Sequence, residues 1–246
     1  MSRYQRQDRF FKKAKHDQYA ARSVYKLEEL DRRYQLIKAG HRLVDLGCAP
    51  GSWLQYLSKA LGKKGAVVGY DLADVEVNPG KNVRTWVANV EDLTPERVRA
   101  DLAQLILDLK TKPAPEAPAS VEASADEPDA APEADEAPPP EEAAAPPAPP
   151  NLRIDGLLSD MAPKLTGIRD ADQARSVAIN GHALRLAEAL VNPGGYFVAK
   201  LFQGRDTDEF VAEVKKVFKD VKLQKPEATR DGSREVFVVA RLRKPG

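Results

Sequence analysis

The residues with the clearest chemical potential lie in a turn with two glycines, Gly47 and Gly51, which follows the short apolar run at 43–46. Glycine lets a backbone approach a ligand closely and adopt positive φ angles. A helix that starts near Ser52 would point its free first amides at this turn. The segment therefore predicts a strand, a ligand-binding turn and a helix, in that order.

Asp71 makes the turn typical of nucleoside recognition. It ends a second apolar run, 24 residues after Gly47, and an acidic residue at such a position commonly binds ribose hydroxyls. The third glycine of the dinucleotide motif is absent, and Ala49-Pro50 stands where a pyrophosphate would need free amides. An adenosyl ligand without a pyrophosphate fits this turn better than a nicotinamide dinucleotide does, which disfavours an oxidoreductase.

Four charged residues occupy positions where a charge needs a partner. Asp160 and Lys200 lie at the ends of apolar runs, Lys26 borders the apolar stripe of a helix, and Glu235 begins the last strand pattern. A buried charge is costly unless it is paired, so each of the four is a site candidate. For any one of them alone a structural ion pair is the simpler interpretation, and the functional hypothesis depends on all four.

The segments that contain these residues resemble, in order, the FtsJ-type ribose 2′-O-methyltransferases, and within them the members that act on large-subunit ribosomal RNA. The matching segments span residues 22–241. The resemblance implies a catalytic tetrad of Lys26, Asp160, Lys200 and Glu235, in which Lys200 accepts the proton of a ribose hydroxyl, that of a uridine. It also implies S-adenosylmethionine as methyl donor and no metal.

The resemblance further implies which residues contact the methyl donor. The family usually has an aspartate after the third strand that contacts the adenine, and this chain has Asn89 there. An amide can still donate or accept one hydrogen bond to the base. The predicted donor contacts are Gly51, Trp53, Asp71, Asn89 and Asp160.

Strand and helix patterns alternate along the rest of the chain, which predicts a mostly parallel sheet covered by helices on both faces. Two final strand patterns without a long helix between them predict an antiparallel hairpin at one edge. The fold class is therefore a doubly wound, Rossmann-like methyltransferase α/β sheet, mostly parallel with one antiparallel edge strand. The predicted strands are 43–46, 66–71, 83–88, 154–160, 196–202, 221–224 and 235–241, and the predicted helices are 21–33, 53–61, 95–109, 172–191 and 210–218.

Residues 113–150 differ from the rest in composition. They contain twelve Pro, thirteen Ala and ten acidic residues but no Lys or Arg. Such a segment buries too little apolar surface to offset its ordering entropy, so we expect a disordered insertion within one domain formed by residues 21–112 and 151–246. An inert spacer is the simpler interpretation, and an acidic arm that competes with nucleic acid for a basic surface is the alternative.

The remainder of the chain is strongly basic. Outside the insertion it has 38 basic and 27 acidic residues, a balance of +11, which favours a polyanionic partner. Residues 1–20 form a predicted basic arm, and residues 1–26 contain eight Lys or Arg among five aromatic residues. This pattern suits RNA phosphates and stacked bases, although a basic terminus is often only solvated.

Other function classes fit the sequence less well. It has no apolar run of about 18 residues that could span a membrane, and one cysteine with three histidines does not make a zinc site. The single Cys48 cannot form an internal disulfide, which agrees with a reducing cytoplasm. We expect a cytoplasmic monomer that binds ribosomal RNA in the large subunit. The alternatives are a transfer RNA ribose methyltransferase and a non-catalytic RNA-binding assembly factor.

Overall fold

A computed structural model describes residues 9–111, 151–230 and 232–245. The predicted insertion at 113–150 and the first eight residues of the predicted arm lie outside the described residues. Helices and strands alternate along most of the chain, beginning with a short basic helix. The elements are α1 (Arg9–His16), α2 (Val24–Tyr34), β1 (Arg42–Leu46), α3 (Ser52–Leu61), β2 (Ala66–Asp71), β3 (Val83–Val87), α4 (Pro95–Lys110), β4 (Ile154–Ser159), α5 (Arg169–Leu190), β5 (Val191–Phe202), α6 (Thr207–Val217), β6 (Phe218–Gln224) and β7 (Glu235–Arg243).

The strands form one seven-stranded sheet in the order β3-β2-β1-β4-β5-β7-β6. The pairs among β3, β2, β1, β4 and β5 are parallel, whereas β7 runs antiparallel to both of its neighbours, β5 and β6. The doubly wound, Rossmann-like fold class is thereby confirmed. The antiparallel strand of the expected edge hairpin is β7, and it lies one position inside the edge strand β6.

Helices cover both faces of the sheet, and each face has its own apolar core. On one face α4, α5 and α6 pack through residues such as Leu102, Leu190 and Phe210. On the other face α2 and α3 pack through Leu27, Leu54 and their neighbours. Side chains alternate between the two faces along each strand, and both faces are covered, which is why the central strands are apolar nearly throughout.

The helix-breaking sequence at 192–195 ends α5 as expected, but the next strand begins earlier in the chain than the pattern predicts. The pattern predicts a loop over 192–195 and a strand that begins at Tyr196. In the structure α5 ends at Leu190, and β5 already begins at Val191, which pairs with Ile154 before the register shifts. The irregular segment is thus accommodated within the strand, because Asn192 donates a hydrogen bond to Asp155 on the neighbouring strand (3.3 Å).

The topology brings the ends of several strands to one edge of the sheet. The carboxyl ends of parallel strands meet there, and ligands of doubly wound folds bind at that edge. The chain reverses strand order between β3 and β4, so β1 and β4 lie side by side at the switch. Asp160, directly after β4, donates its backbone amide to the carbonyl of Leu46 (3.0 Å), which fixes it beside the glycine turn.

Candidate active site at the carboxyl edge of the sheet

The turn between β1 and α3 requires glycine at two positions. Gly47 has φ +76°, and a Cβ there would lie 2.8 Å from the backbone nitrogen of Met161. Gly51, directly before α3, has φ +105°, and a Cβ there would collide with the side chains of Val75 and Val77. Positive φ angles strain any other residue. The turn therefore keeps its shape only with both glycines, as the sequence indicated.

A cavity of about 420 Å³ opens next to this turn. Its volume is within the range of small-molecule sites in proteins, which is roughly 300–1,000 Å³. Both polar and apolar side chains contribute to its wall. It is lined by Gly47, Ala49, Tyr70, Asp71, Leu72, Ala88, Asn89, Val90, Glu91, Asp160, Met161, Ala162 and Ile179.

Three of the residues predicted to contact the methyl donor lie in this cavity wall: Asp71, Asn89 and Asp160. The carboxylate of Asp71 accepts hydrogen bonds from the backbone amides of Ala49 (2.9 Å) and Ala73 (3.0 Å), so it also holds the turn in place. The amide oxygen of Asn89 accepts from the backbone nitrogen of Glu91 (3.2 Å). Carboxylate oxygens have further lone pairs, so Asp71 can still accept from a ligand.

The other two predicted donor contacts, Gly51 and Trp53, do not line this cavity. Trp53 is buried, donates its indole N–H to the carbonyl of Ser23 (2.9 Å), and packs against the ring of Phe237. It therefore ties α3 to the start of α2. Contact of Gly51 and Trp53 with a bound methyl donor stays a prediction that depends on the resemblance.

Lys200 and Asp160 form one of two lysine–carboxylate pairs at this edge. The ammonium nitrogen of Lys200 lies 2.9 Å from Oδ1 of Asp160, and it also donates a hydrogen bond to the backbone carbonyl of Asp160. The contact with Oδ1 is an ion pair without hydrogen-bond geometry, so Oδ1 has no hydrogen-bond partner among the described residues. Asp160 is therefore shared: it pairs with Lys200, and it also lines the cavity, where its carboxylate can accept from a ligand.

Lys26 and Glu235 form the second pair. The ammonium of Lys26 donates to the Glu235 carboxylate, and only 12% and 13% of the two side chains is exposed. The same ammonium lies 5.9 Å from the ring centroid of Phe237, which pairs directly with Lys200 across β5 and β7. The structure thus brings the four predicted residues together as two ion pairs on adjacent elements.

One further carboxyl group lies close to these charges. Asp45 is fully buried, and neither of its oxygens has a hydrogen-bond partner among the described residues. Burial raises its pKa well above the ordinary value, and the nearby charges of Asp160 and Asp71 raise it further. Burial likewise raises the pKa of the Cys48 thiol, so Cys48 is a poor nucleophile.

Several wall residues were not predicted from the sequence. Tyr70, Met161 and Ile179 are ordinary apolar or aromatic core types, and no pattern distinguishes them before folding. Glu91 is different, because it is an acidic residue only two positions after Asn89, where the resembling family has an aspartate, and that proximity could have identified it.

Within residues 9–111, 151–230 and 232–245, no group of three or more His, Cys, Asp or Glu is arranged to hold a metal ion. In the same ranges no helix is long and apolar enough to cross a bilayer.

Known proteins with a similar fold include two solved structures. One is a Plasmodium falciparum protein assigned as a ribosomal RNA methyltransferase, with a TM-score of 0.64 and 21% identity over 93% of this chain and 100% of the other. The other is Aeropyrum pernix fibrillarin with natively bound S-adenosyl-L-methionine, with a TM-score of 0.51 and 14% identity over 89% of this chain and 76% of the other. At these identities the likeness supports the fold alone.

Sequence comparison reaches closer relatives. The chain is 38% identical to ribosomal RNA large subunit methyltransferase E of Syntrophobacter fumaroxidans, over 98% of both chains. It is 35% identical to the protein of that name from Myxococcus xanthus, over 98% of this chain and 91% of the other. The profile of the FtsJ-like methyltransferases matches residues 19–243, which include both ion pairs and the cavity wall. The chain belongs to the FtsJ-like methyltransferase family.

Proposed function

We propose that this chain methylates the 2′-hydroxyl of a ribose, that of a uridine, in large-subunit ribosomal RNA, with S-adenosylmethionine as the donor. The observation that carries the proposal is the double position of Asp160, which lines the cavity and pairs with Lys200. A methyl donor bound in the cavity and a general base at Lys200 would then lie on opposite sides of Asp160. The names of the relatives support ribosomal RNA as the substrate class.

The residues of the cavity fit S-adenosylmethionine. Asp71 has the position expected of a ribose-binding carboxylate at the end of β2, and Asn89 and Glu91 supply polar groups for the adenine. Asp160 lines the cavity, and its carboxylate can accept from the amino group of the methionine part. When bound, S-adenosylmethionine supplies an activated methyl group, so alignment and proton removal are the tasks left to the protein.

In this proposal Lys200 removes the proton. In its neutral form the amine would accept the proton of the ribose hydroxyl, while the bound donor would give up its methyl group to the ribose oxygen by loss of the carbon–sulfur bond and leave as the uncharged thioether. Asp160 holds Lys200 through both its carboxylate and its carbonyl. Lys26 and Glu235, which are paired with each other, orient the hydroxyl from the other side. The Lys200 ammonium formed in this step releases its proton to solvent.

The exposed surface of α1 suits RNA. The side chains of Lys12, Lys13 and Lys15 of α1 are exposed, whereas Ala14 is buried. Ala14, together with Phe10, packs against Tyr25 in a small apolar cluster. Since Tyr25 precedes Lys26 on α2, this packing attaches the basic helix to the helix that carries Lys26. Cations along such a path attract the phosphates of a polynucleotide.

Methyl transfer to purified RNA tests the proposal. We expect the wild-type protein to transfer labelled methyl groups from S-adenosylmethionine to large-subunit ribosomal RNA, at a ribose 2′-oxygen that then resists alkaline cleavage. Lys200→Ala should lower the rate by at least about 100-fold, because general base catalysis contributes about 10²–10⁴-fold, while calorimetry should show nearly unchanged donor binding.

Two controls sharpen this experiment. Lys219→Ala removes an exposed lysine of the edge strand β6 and should keep the wild-type rate. Transfer RNA offered in parallel should remain unmethylated. Methylation of transfer RNA in place of ribosomal RNA would overturn the substrate, and a Lys200→Ala protein with the wild-type rate would overturn the role of Lys200.

A further inference from the structure

The buried amide of Asn180, in the middle of α5, bridges the two strands that carry Lys200 and Asp160. Its Nδ2 donates hydrogen bonds to the backbone carbonyls of Lys200 (2.7 Å) and Ser176 (2.9 Å), and its Oδ1 lies 3.0 Å from the hydroxyl of Ser159. Its side chain is fully buried. We propose that Asn180 is a positioning residue for methyl transfer, an inference that rests on the proposed function.

The contact with Lys200 lies where the backbone ladder ends. The last residue of β4, Ser159, pairs with Ala199, so the carbonyl of Lys200 lies one position beyond the register shared by the two strands. A buried carbonyl without a partner is costly. Asn180 supplies the missing donor, and its side chain thereby takes the place of a further backbone amide from β4.

Asn180 acts from the face of the sheet opposite to the ion pairs. Ala199 and Leu201 belong to the core under α5, whereas Val198 belongs to the core under α2 and α3. By alternation, Lys200 points away from α5. Asn180 itself is fully buried and does not line the cavity, so we expect it to act on Lys200 only through the backbone that carries it.

A neighbouring hydrogen bond of the same helix supports this arrangement. The hydroxyl of Ser176, one turn before Asn180, accepts from the backbone amide of Phe202 (3.3 Å). Together the two side chains hold the backbone of β5 on both sides of Leu201, a residue that is itself fully buried. Because the backbone of Lys200 is held in place, its ammonium reaches the carboxylate and the carbonyl of Asp160 from a fixed position. Small displacements of a reacting group cost much of the rate, about 100-fold for 1 Å.

The test is Asn180→Ala, assayed with saturating donor and ribosomal RNA. We expect kcat to fall by about 10- to 100-fold, while the dissociation constant of S-adenosylmethionine and the KM for RNA change by less than about threefold. A merely structural role would lower the melting temperature without separating kcat from binding. Leu190→Ala is the matched control, because Leu190 is also buried on α5 but lies about 15 Å further along the helix at 1.5 Å per residue.

Each outcome decides the inference. If Leu190→Ala lowers the melting temperature as much as Asn180→Ala yet keeps the wild-type kcat, the positioning role stands. If both variants lose kcat equally, or Asn180→Ala keeps it, the role is overturned. Should Asn180→Ala fail to fold, Ser159→Ala decides: it removes the hydroxyl that donates to Asn180 Oδ1 and should lower kcat with unchanged donor binding, and an unchanged kcat overturns the inference. A wild-type protein that methylates no RNA would instead refute the proposed function.

Discussion

Asp45 shows how a single residue can be retained at a cost to the fold. It lies on β1 between β2 and β4, and its carboxyl group is buried without a hydrogen-bond partner in the described part of the chain. An ionised carboxylate in such a place is strongly disfavoured. The charges of Asp71 and Asp160, both in the cavity wall, make ionisation harder still. Carboxyl groups gathered at this edge of the sheet suit a methyl donor that carries an amino group. The same gathering destabilises the folded protein.

Asp45→Asn should therefore stabilise the protein, and more so as the pH rises. The raised pKa of Asp45 means that the folded protein binds a proton which the unfolded chain releases above the ordinary value of 3.8. The wild-type free energy of unfolding accordingly falls as the pH rises above that value, whereas the asparagine contributes no such loss. We expect a larger gain in the free energy of unfolding at pH 8 than at pH 5, measured by urea unfolding.

The matched control is Asp74→Asn, which changes an exposed aspartate of the loop after β2. It should leave the unfolding curves close to those of the wild type at both pH values. An Asp45→Asn protein that is less stable than the wild type at pH 8 would show that Asp45 makes a favourable interaction when ionised, contrary to this account.

Secondary-structure elements are predictable where one local pattern is enough. The apolar run of β2 predicts its observed bounds, and α4 extends only one residue beyond its prediction, with Thr94 accepting from Arg97 at its start. The predicted start of β5 is wrong because the observed start depends on pairing with Ile154, far away in sequence. The position of β7 between β5 and β6 could not be predicted for the same reason. Strand order depends on long-range packing, which the hydrophobic periodicity of a single segment does not reveal.

Substitutions in helix α1 give the most direct test of RNA binding. Replacing Lys12, Lys13 and Lys15 with glutamine leaves Phe10 and Ala14 packed against the domain and removes three exposed cations. We expect weaker binding of ribosomal RNA and a flatter dependence of the binding constant on salt, by about 0.7–0.9 units of log–log slope for each phosphate that a lysine no longer neutralises. Titrations by fluorescence anisotropy at several salt concentrations would measure both.

A control that removes the same number of charges distinguishes this local effect from the overall charge. Lys110, Lys215 and Lys216 are exposed on α4 and α6, which cover the opposite face of the sheet. Their triple replacement with glutamine should leave the salt dependence nearly unchanged. Equal weakening of RNA binding in the two triple variants would mean that RNA is attracted by the whole basic body and that α1 forms no specific path.

At the scale of the whole molecule, the sequence indicated candidate site residues but not which of them pair with each other. The four charged residues came from their positions and from the resemblance, yet Lys26 and Glu235 are 209 residues apart in sequence. Which carboxylate pairs with which lysine depends on how α2 packs against β7, and spacing cannot show this. For the same reason the sequence could not show that Trp53 packs between α2 and β7, and its contact with the methyl donor stays a prediction.

The acidic segment at 113–150 raises a question of charge for the molecule as a whole. It joins the end of α4 to the start of β4. Since α4 returns from the carboxyl end of β3 to the amino ends of the parallel strands, both attachment points lie at the end of the sheet away from the two ion pairs. We therefore expect that replacing 113–150 with a short Gly-Ser linker leaves the melting temperature and kcat unchanged.

RNA affinity decides between the two interpretations of this segment. Its removal raises the formal net charge from +1 to +11, but charges more than about 8 Å from a phosphate are largely screened at physiological salt. For an inert spacer we expect the dissociation constant of ribosomal RNA at about 150 mM salt to change by less than about twofold, and to tighten only as salt is lowered towards about 10 mM, where the screening length reaches about 30 Å. A tightening of about tenfold or more at the higher salt, abolished by the glutamine variant of Lys12, Lys13 and Lys15, would show instead that the acidic segment competes with RNA for α1.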